Sequence, residues 1–278
     1  MPIMFNSLLD QVGIGPANVI LLRHQDARAV RGRTPYELWR DKRAAFELYQ
    51  SCQRVENRMK FSRVPYWASF VAAPDSSTMF VGLYAAKYKG LLAEDTPQPH
   101  SDEIDLAGSC DTYDLQVDER LADLQGTLFI EWGQGARAWV QRADNQNKPI
   151  IELRREFKEA DFPGFLNFME PLSKIEGLPK TWIAILKQTA GVYLLTCPKT
   201  KEQYVGSASG DEGFWHRWMD YVLTGHGGNI SLKSRERTDY RVSILEVAGT
   251  GSNPDDIRKM ESRWKEKLQS REMGLNKN

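Results

Sequence analysis

The sequence predicts an α+β protein built in two parts. The first part reads as an α+β domain, a curled sheet beside one long helix. The second reads as a small mixed or antiparallel sheet flanked by helices. Three observations carry this: a capped helical run after Thr34, two β-rich segments about "PDSS" at 74–77, and a glycine-marked hairpin at 191–206 followed by helix, strand and helix signals.

Thr34, Pro35 and Glu37 fit N-cap, first helical position and capping-box partner, so a helix is expected from there to about Met59. Leu38, Ala45, Leu48, Cys52 and Val55 fall at helical spacing and should face the core, leaving Arg40, Arg43, Arg54 and Arg58 outward. "YWASFVAAPDSSTMFVGLYAAKY" then reads as a hairpin and the acidic stretch 92–118 as a loop. "GTLFIEWGQGARAWVQRA" reads as a second hairpin with "GQG" at its tip, and "KPIIEL" as a further strand. The domain boundary is expected near 165–182, giving domains at 1–170 and 188–278 and a packed connector at 171–187.

The chain has 278 residues, 41% of them hydrophobic, enough for a sizeable core in one or two domains. No apolar run has membrane-spanning length, and "MPIMFNSLLDQ" has no basic flank ahead of its apolar residues, so a soluble, cytoplasmic protein is expected. Cys52, Cys110 and Cys197 are odd in number, far apart and in no CxxC pair, which argues against a disulfide framework and against a zinc site. Net charge is zero but blocky: residues 21–63 hold eleven Arg/Lys against five Asp/Glu, and 92–131 hold one against eleven. Such segregation suits a basic face for nucleic acid, and equally ordinary solvated faces.

The last hundred residues concentrate the chemistry. Tyr193 and Tyr204 sit at the two ends of "GVYLLTCPKTKEQYVG". A helix over about 212–223 places Arg217 one turn before Tyr221, within reach of the same point. A final helix is expected from Asn253 as N-cap, with Ile257, Met260, Trp264 and Leu268 as its apolar stripe. Glu261 falls inside that stripe, where a carboxylate needs a cation or a hydrogen-bonding partner.

These residues, in this order, resemble the GIY-YIG nuclease superfamily over about residues 188–278. "GVY" (191–193) and "YVG" (204–206) match the two signatures with valine for isoleucine, a β-branched exchange that suits a strand. Arg217, Tyr221, Glu261 and Asn276 match the helix arginine, the aromatic one turn later, the metal-binding glutamate and the asparagine near the C-terminus. The resemblance implies a metal-dependent DNA endonuclease leaving 5′-phosphate and 3′-hydroxyl ends. One Mg²⁺ (or Mn²⁺) would be held through Glu261, Arg217 would pair with phosphate, and Tyr193 would relay or accept the proton of the attacking water. Tyr204 and Tyr221 would orient water and phosphate.

Double-stranded DNA is the expected partner, with a homodimer required for concerted cutting of both strands. His226, Asn229, Lys233 and Arg235 are candidate substrate contacts, as are Arg40, Arg43, Arg54 and Arg58 in the N-terminal region, together with Arg31 and Arg33. The two N-terminal hairpins offer aromatics for a flipped or modified base. A restriction or phage-defence role is the first expectation. The alternatives are a structure-directed repair or recombination nuclease and a non-cleaving DNA-binding protein.

Overall fold

Thr34 caps the first long helical segment as its residue type predicts. Its hydroxyl accepts from the Glu37 amide at 3.3 Å, and the Glu37 carboxylate accepts from the Thr34 amide at 2.7 Å. This is a computed structural model describing residues 2–25, 33–62, 64–133, 138–210, 212–228 and 239–277. The fold class is α+β as expected, in two units, Met1–Lys158 and Glu159–Asn278.

In the first unit, α1 (Phe5–Gln11) precedes strand β1 (Val19–His24). The single helix expected to Met59 is instead α2 (Pro35–Asp41) and α3 (Arg43–Ser51), broken at Lys42, whose backbone leaves the helical region (φ −139°, ψ 64°). Leu38, Trp39 and Phe46, from the two sides of the break, all enter one core cluster. Leu48, expected inward, is 51% exposed. Cys52 does not continue the helix: strand β2 (Cys52–Arg54) starts there, and a short helix, α4 (Arg58–Phe61), follows. Tertiary strand pairing has overridden local helical spacing.

The hairpin about "PDSS" forms from β3 (Tyr66–Ala72) and β4 (Thr78–Leu91). The 92–118 stretch is mostly irregular, with a two-residue ladder of β5 (Thr96–Pro97) and β6 (Ile104–Asp105), but ends in strand β7 (Cys110–Val117), which pairs with both β2 and β4. The second expected hairpin does not form. Strand β8 (Leu128–Ile130) pairs with β4 and with β10 (Ile150–Leu153), the "KPIIEL" strand, whereas β9 (Val140–Arg142) pairs with β1 at the far side of the sheet. The expected hairpin tip lies largely at 134–137, outside the described residues. The strand order β10-β8-β4-β3-β1-β9, with β1 parallel to β3, makes a mixed sheet. Strands β1 and β3 are apolar nearly throughout because both their faces are covered, Leu21 and Phe70 by one cluster and Ile20, Leu22 and Trp67 by another.

The second unit begins earlier than expected. Phe168, Leu172, Ile175, Leu178, Trp182 and Leu186 pack with Tyr193, Phe214 and Trp218 in a single core, so residues 159–187 belong to this unit. They include strand β11 (Met169–Pro171) and helix α5 (Lys180–Lys187). Strands β12 (Gly191–Thr196), β13 (Gln203–Ala208) and β14 (Arg241–Val247) complete an antiparallel sheet in the order β11-β14-β12-β13. Helix α6 (Gly213–Thr224) follows β13, and helix α7 (Pro254–Lys267) follows β14. Asn253 caps α7, accepting from the amides of Asp255 and Asp256.

Candidate active site

Strand register decides which side chains meet. On β12 and β13, Tyr193 stands opposite Gly206, and Leu195 opposite Tyr204. Period-two alternation puts Tyr193 and Tyr204 on one face in adjacent rows, the face packed by α6. The two phenols are therefore diagonal neighbours rather than a matched pair. Tyr221 of α6 joins them: its hydroxyl is 2.9 Å from that of Tyr193, and its ring meets the Tyr204 ring edge-on at 6.5 Å.

Arg217, one helical turn before Tyr221, gathers this cluster. Its Nε donates to the Tyr193 hydroxyl at 3.2 Å, Nη2 to the Tyr221 hydroxyl at 3.3 Å and Nη1 to the Gly227 carbonyl at 2.9 Å. Gly227 can present that carbonyl because it adopts φ +53°, where a Cβ would also strike the Tyr221 ring at 2.7 Å. A guanidinium carries five N–H donors, of which three anchor it by hydrogen bonds, and Nη1 also faces the Asp220 carboxylate at 3.9 Å. The Arg217 side chain is 30% exposed, which leaves a fixed cation at the surface of an otherwise buried phenolic cluster.

The electrostatics follow from burial. Tyr193 is fully buried, and desolvation pushes its phenol well above the usual tyrosine range despite the pull of Arg217. Tyr221 is raised by the same cause, with the neighbouring phenols adding to it. Tyr193 and Tyr221 are thus neutral hydroxyls at physiological pH, suited to holding Arg217. The expected role of Tyr193 as a proton-accepting base is not what its surroundings favour. Tyr204 lies nearer the rim, 8% exposed, and among the described residues no hydrogen bond ties its hydroxyl.

Glu261 sits on the other side of the sheet. Ser207 alternates away from Gly206 and donates to one Glu261 oxygen from β13, while the Lys265 ammonium, one turn along α7, meets the other at 2.7 Å. The Glu261 and Lys265 side chains are 16% and 6% exposed. The carboxylate expected inside the apolar stripe thus has both a hydroxyl and a cation. The buried face of α7 runs Ile257, Glu261, Lys265 at steps of four rather than through Trp264 and Leu268 alone. A carboxylate beside a hydroxyl is a hard oxygen donor set and suits a magnesium-type cation that keeps most of its shell as water and phosphate. Lys265 already occupies one of those oxygens.

Asn276 is buried and clamps β13: its Nδ2 donates to the Val205 carbonyl at 2.8 Å, and its Oδ1 accepts from the Val205 amide at 2.9 Å. Both amide groups are occupied by backbone. Asn276 holds the edge strand between Tyr204 and Ser207 and does not face a reacting group.

Among solved structures, the chain is similar to the catalytic domain of homing endonuclease I-TevI. The likeness has 28% identity, covers 31% of this chain and 96% of that chain, and has a TM-score of 0.26. No protein-family model matches the chain, and no curated protein does.

The candidate contacts outside this cluster are placed differently. His226 folds onto its own turn, its Nδ1 accepting from the Gly228 amide at 2.9 Å. Asn229, Lys233 and Arg235 lie outside the described residues, as does Arg31. Arg40, expected outward, is largely buried and forms a two-point pair with Asp41, which Arg33 also meets at 2.7 Å. Arg43 lies over the Trp39 ring and donates to the Val81 carbonyl. Arg58 makes a bidentate pair with buried Asp111, whose carboxyl it holds below the usual range. Arg54 is exposed on β2. The N-terminal arginines are therefore mostly structural, because helix-facing rules assign charges to solvent without seeing the acids folded against them.

Sequence reading missed Ser207, Gly227 and Lys265. Lys265 had a readable signal, since it stands four residues after Glu261 on the same helix face.

Proposed function

We propose that the second unit is a metal-dependent DNA endonuclease that hydrolyses phosphodiesters to 5′-phosphate and 3′-hydroxyl ends. The observation that carries this reading is Arg217, a surface cation fixed by three hydrogen bonds to Tyr193, Tyr221 and Gly227. A pre-oriented guanidinium of this kind stabilises charge developing on phosphoryl oxygens, where one positioned donor is worth roughly 100- to 1000-fold in rate.

Substrate lies along the edge strand β13 in this reading. Tyr204 projects to one face of that strand, and Ser207 with Glu261 to the other, so groups from both faces border one strip of surface. Arg217 binds the scissile phosphate, neutral Tyr193 and Tyr221 keep its plane fixed, and the Tyr204 hydroxyl orients the incoming water. Glu261 would hold a magnesium or manganese ion with water and phosphate oxygens, and that ion would supply charge neutralisation at the phosphate and the departing oxygen. Lys265 holds the Glu261 side chain in place when no ion is bound.

The first unit supplies recognition of double-stranded DNA, and the whole acts in restriction or phage defence. Double-strand cutting requires two copies or two successive nicks, because one such site attacks one strand. Incubation with a plain duplex, a modified-base duplex and branched DNA in Mg²⁺ tests this. Discrete bands from either of the first two support the reading, and cleavage confined to branched DNA replaces it with a structure-directed nuclease.

A further inference from the structure

The cysteines that sequence spacing separates are brought together in the first unit. Antiparallel pairing of β2 with β7 sets Cys52 opposite Thr112 and Arg54 opposite Cys110, which makes the two cysteines diagonal neighbours on one face. The β5–β6 ladder brings Asp105 to the same place. The Cys52 and Cys110 sulfurs and a carboxylate oxygen of Asp105 all lie within 4.8 Å of one another, a grouping found nowhere else among the described residues. Tetrahedral ligation at about 2.3 Å from sulfur places two thiolates roughly 3.8 Å apart, so small side-chain rotations close the site on one ion.

The surroundings hold these groups in position. Gln98 donates to Asp105 Oδ1 at 2.8 Å and itself accepts from the Ser101 hydroxyl at 2.8 Å, while the Ser109 hydroxyl contacts the Cys110 sulfur at 3.6 Å. Cys110 is buried and Cys52 half-buried. Two sulfurs and a carboxylate oxygen packed in one spot form a donor set that a divalent cation can satisfy. Paired sulfur donors select a soft or borderline ion, zinc before magnesium or calcium.

We propose that Cys52, Asp105 and Cys110 form a zinc site with three protein ligands and its fourth position open to solvent, fastening the acidic 92–109 segment to the β2–β7 ladder. It departs from the expectation that cysteine spacing argues against a zinc site, because the strand ladder, not a CxxC turn, brings the candidate ligands together. The site is independent of the nuclease reading, since its readouts are metal content and spectra rather than cleavage.

The test uses the full chain, expressed with zinc and purified under reducing conditions without chelator. The expected result is about one zinc per chain by elemental analysis. Replacement by Co²⁺ should give sulfur-to-cobalt charge-transfer absorption and strong tetrahedral d–d bands. Cys52→Ser, at the less buried ligand, and Cys110→Ser should each abolish both signals, Asp105→Asn should weaken affinity by roughly tenfold or more, and Cys197→Ser should change neither. Added zinc should raise the melting temperature of the wild type but not of Cys52→Ser. Zinc-free wild type that also fails to take up Co²⁺ in reductant overturns the proposal. So does equal uptake by wild type and both cysteine variants, or a Cys52–Cys110 disulfide in protein that ignores zinc when reduced.

Discussion

The Tyr193 phenol lies over Gly206, its cross-strand partner: a Cβ on that glycine would stand 2.5 Å from the Tyr193 hydroxyl and 2.9 Å from the Tyr204 ring. The glycine of the second signature is thus space left for the tyrosine of the first. Gly206→Ala is expected to push Tyr193 off Arg217, costing about 1–3 kcal/mol of stability and at least tenfold in cleavage rate. Thermal melts and nicking rates check both, and a variant with normal stability and rate would show that the two residues are not coupled.

Tyr193→Phe removes one of the three anchors of Arg217 but keeps the ring. About 1–2 kcal/mol of stability should be lost, and cleavage should slow by roughly 10- to 100-fold. Because burial holds this phenol neutral, the shape of the pH–rate profile between about pH 6 and 9 should not change. Loss of a titrating limb in the variant would mean that Tyr193 ionises during turnover.

Lys265→Met leaves the half-buried Glu261 carboxylate without its cation. The variant should be less stable by about 1–3 kcal/mol without divalent ion, yet bind Mg²⁺ more tightly, since no ammonium competes for the carboxylate. Melting curves across a Mg²⁺ titration should show a larger stabilisation in the variant than in the wild type. An equal response in both would place the ion away from Glu261.

His24 gives a pH dependence unrelated to catalysis. Fully buried on β1 between Phe46 and Tyr49, it titrates at about 4 rather than 6.5, because burial disfavours the imidazolium more than its bond to Gln50 favours it. The unfolded chain therefore binds this proton more readily than the folded one. Stability from this group is complete above about pH 6.5 and is lost as pH falls toward 4, by on the order of 3 kcal/mol. Denaturant titrations at pH 7.5 and 4.5 should show that loss in the wild type and much less of it in His24→Phe.

Sequence and structure agree where local chemistry decides and part where distant strands do. Thr34, Asn253 and the "PDSS" turn are self-contained signals, and each appears as read. The proposed long helix failed at Lys42 and again at Cys52 because β7, nearly sixty residues on, takes Cys52–Arg54 as a ladder partner. The hairpin at 127–143 failed for a like reason: β8 found β10 and β9 found β1. In the site, helical spacing was enough to join Arg217 to Tyr221. Spacing could pair Lys265 with Glu261 along one helix, but it could not show that Ser207 meets Glu261 on the opposite face of the sheet, since that depends on strand register. Nor could it show that Arg40 and Arg58 are taken up by Asp41 and Asp111.

The most direct test of the central claim is sequencing of DNA ends after incubation of unmodified and modified phage genomes with wild type and Arg217→Ala in Mg²⁺. The account predicts 5′-phosphate and 3′-hydroxyl ends from the wild type and a 100- to 1000-fold loss, roughly, from the variant, which should melt somewhat lower but be folded at the assay temperature. Folded wild type that cuts neither genome, or Arg217→Ala cutting as fast as wild type, would contradict it.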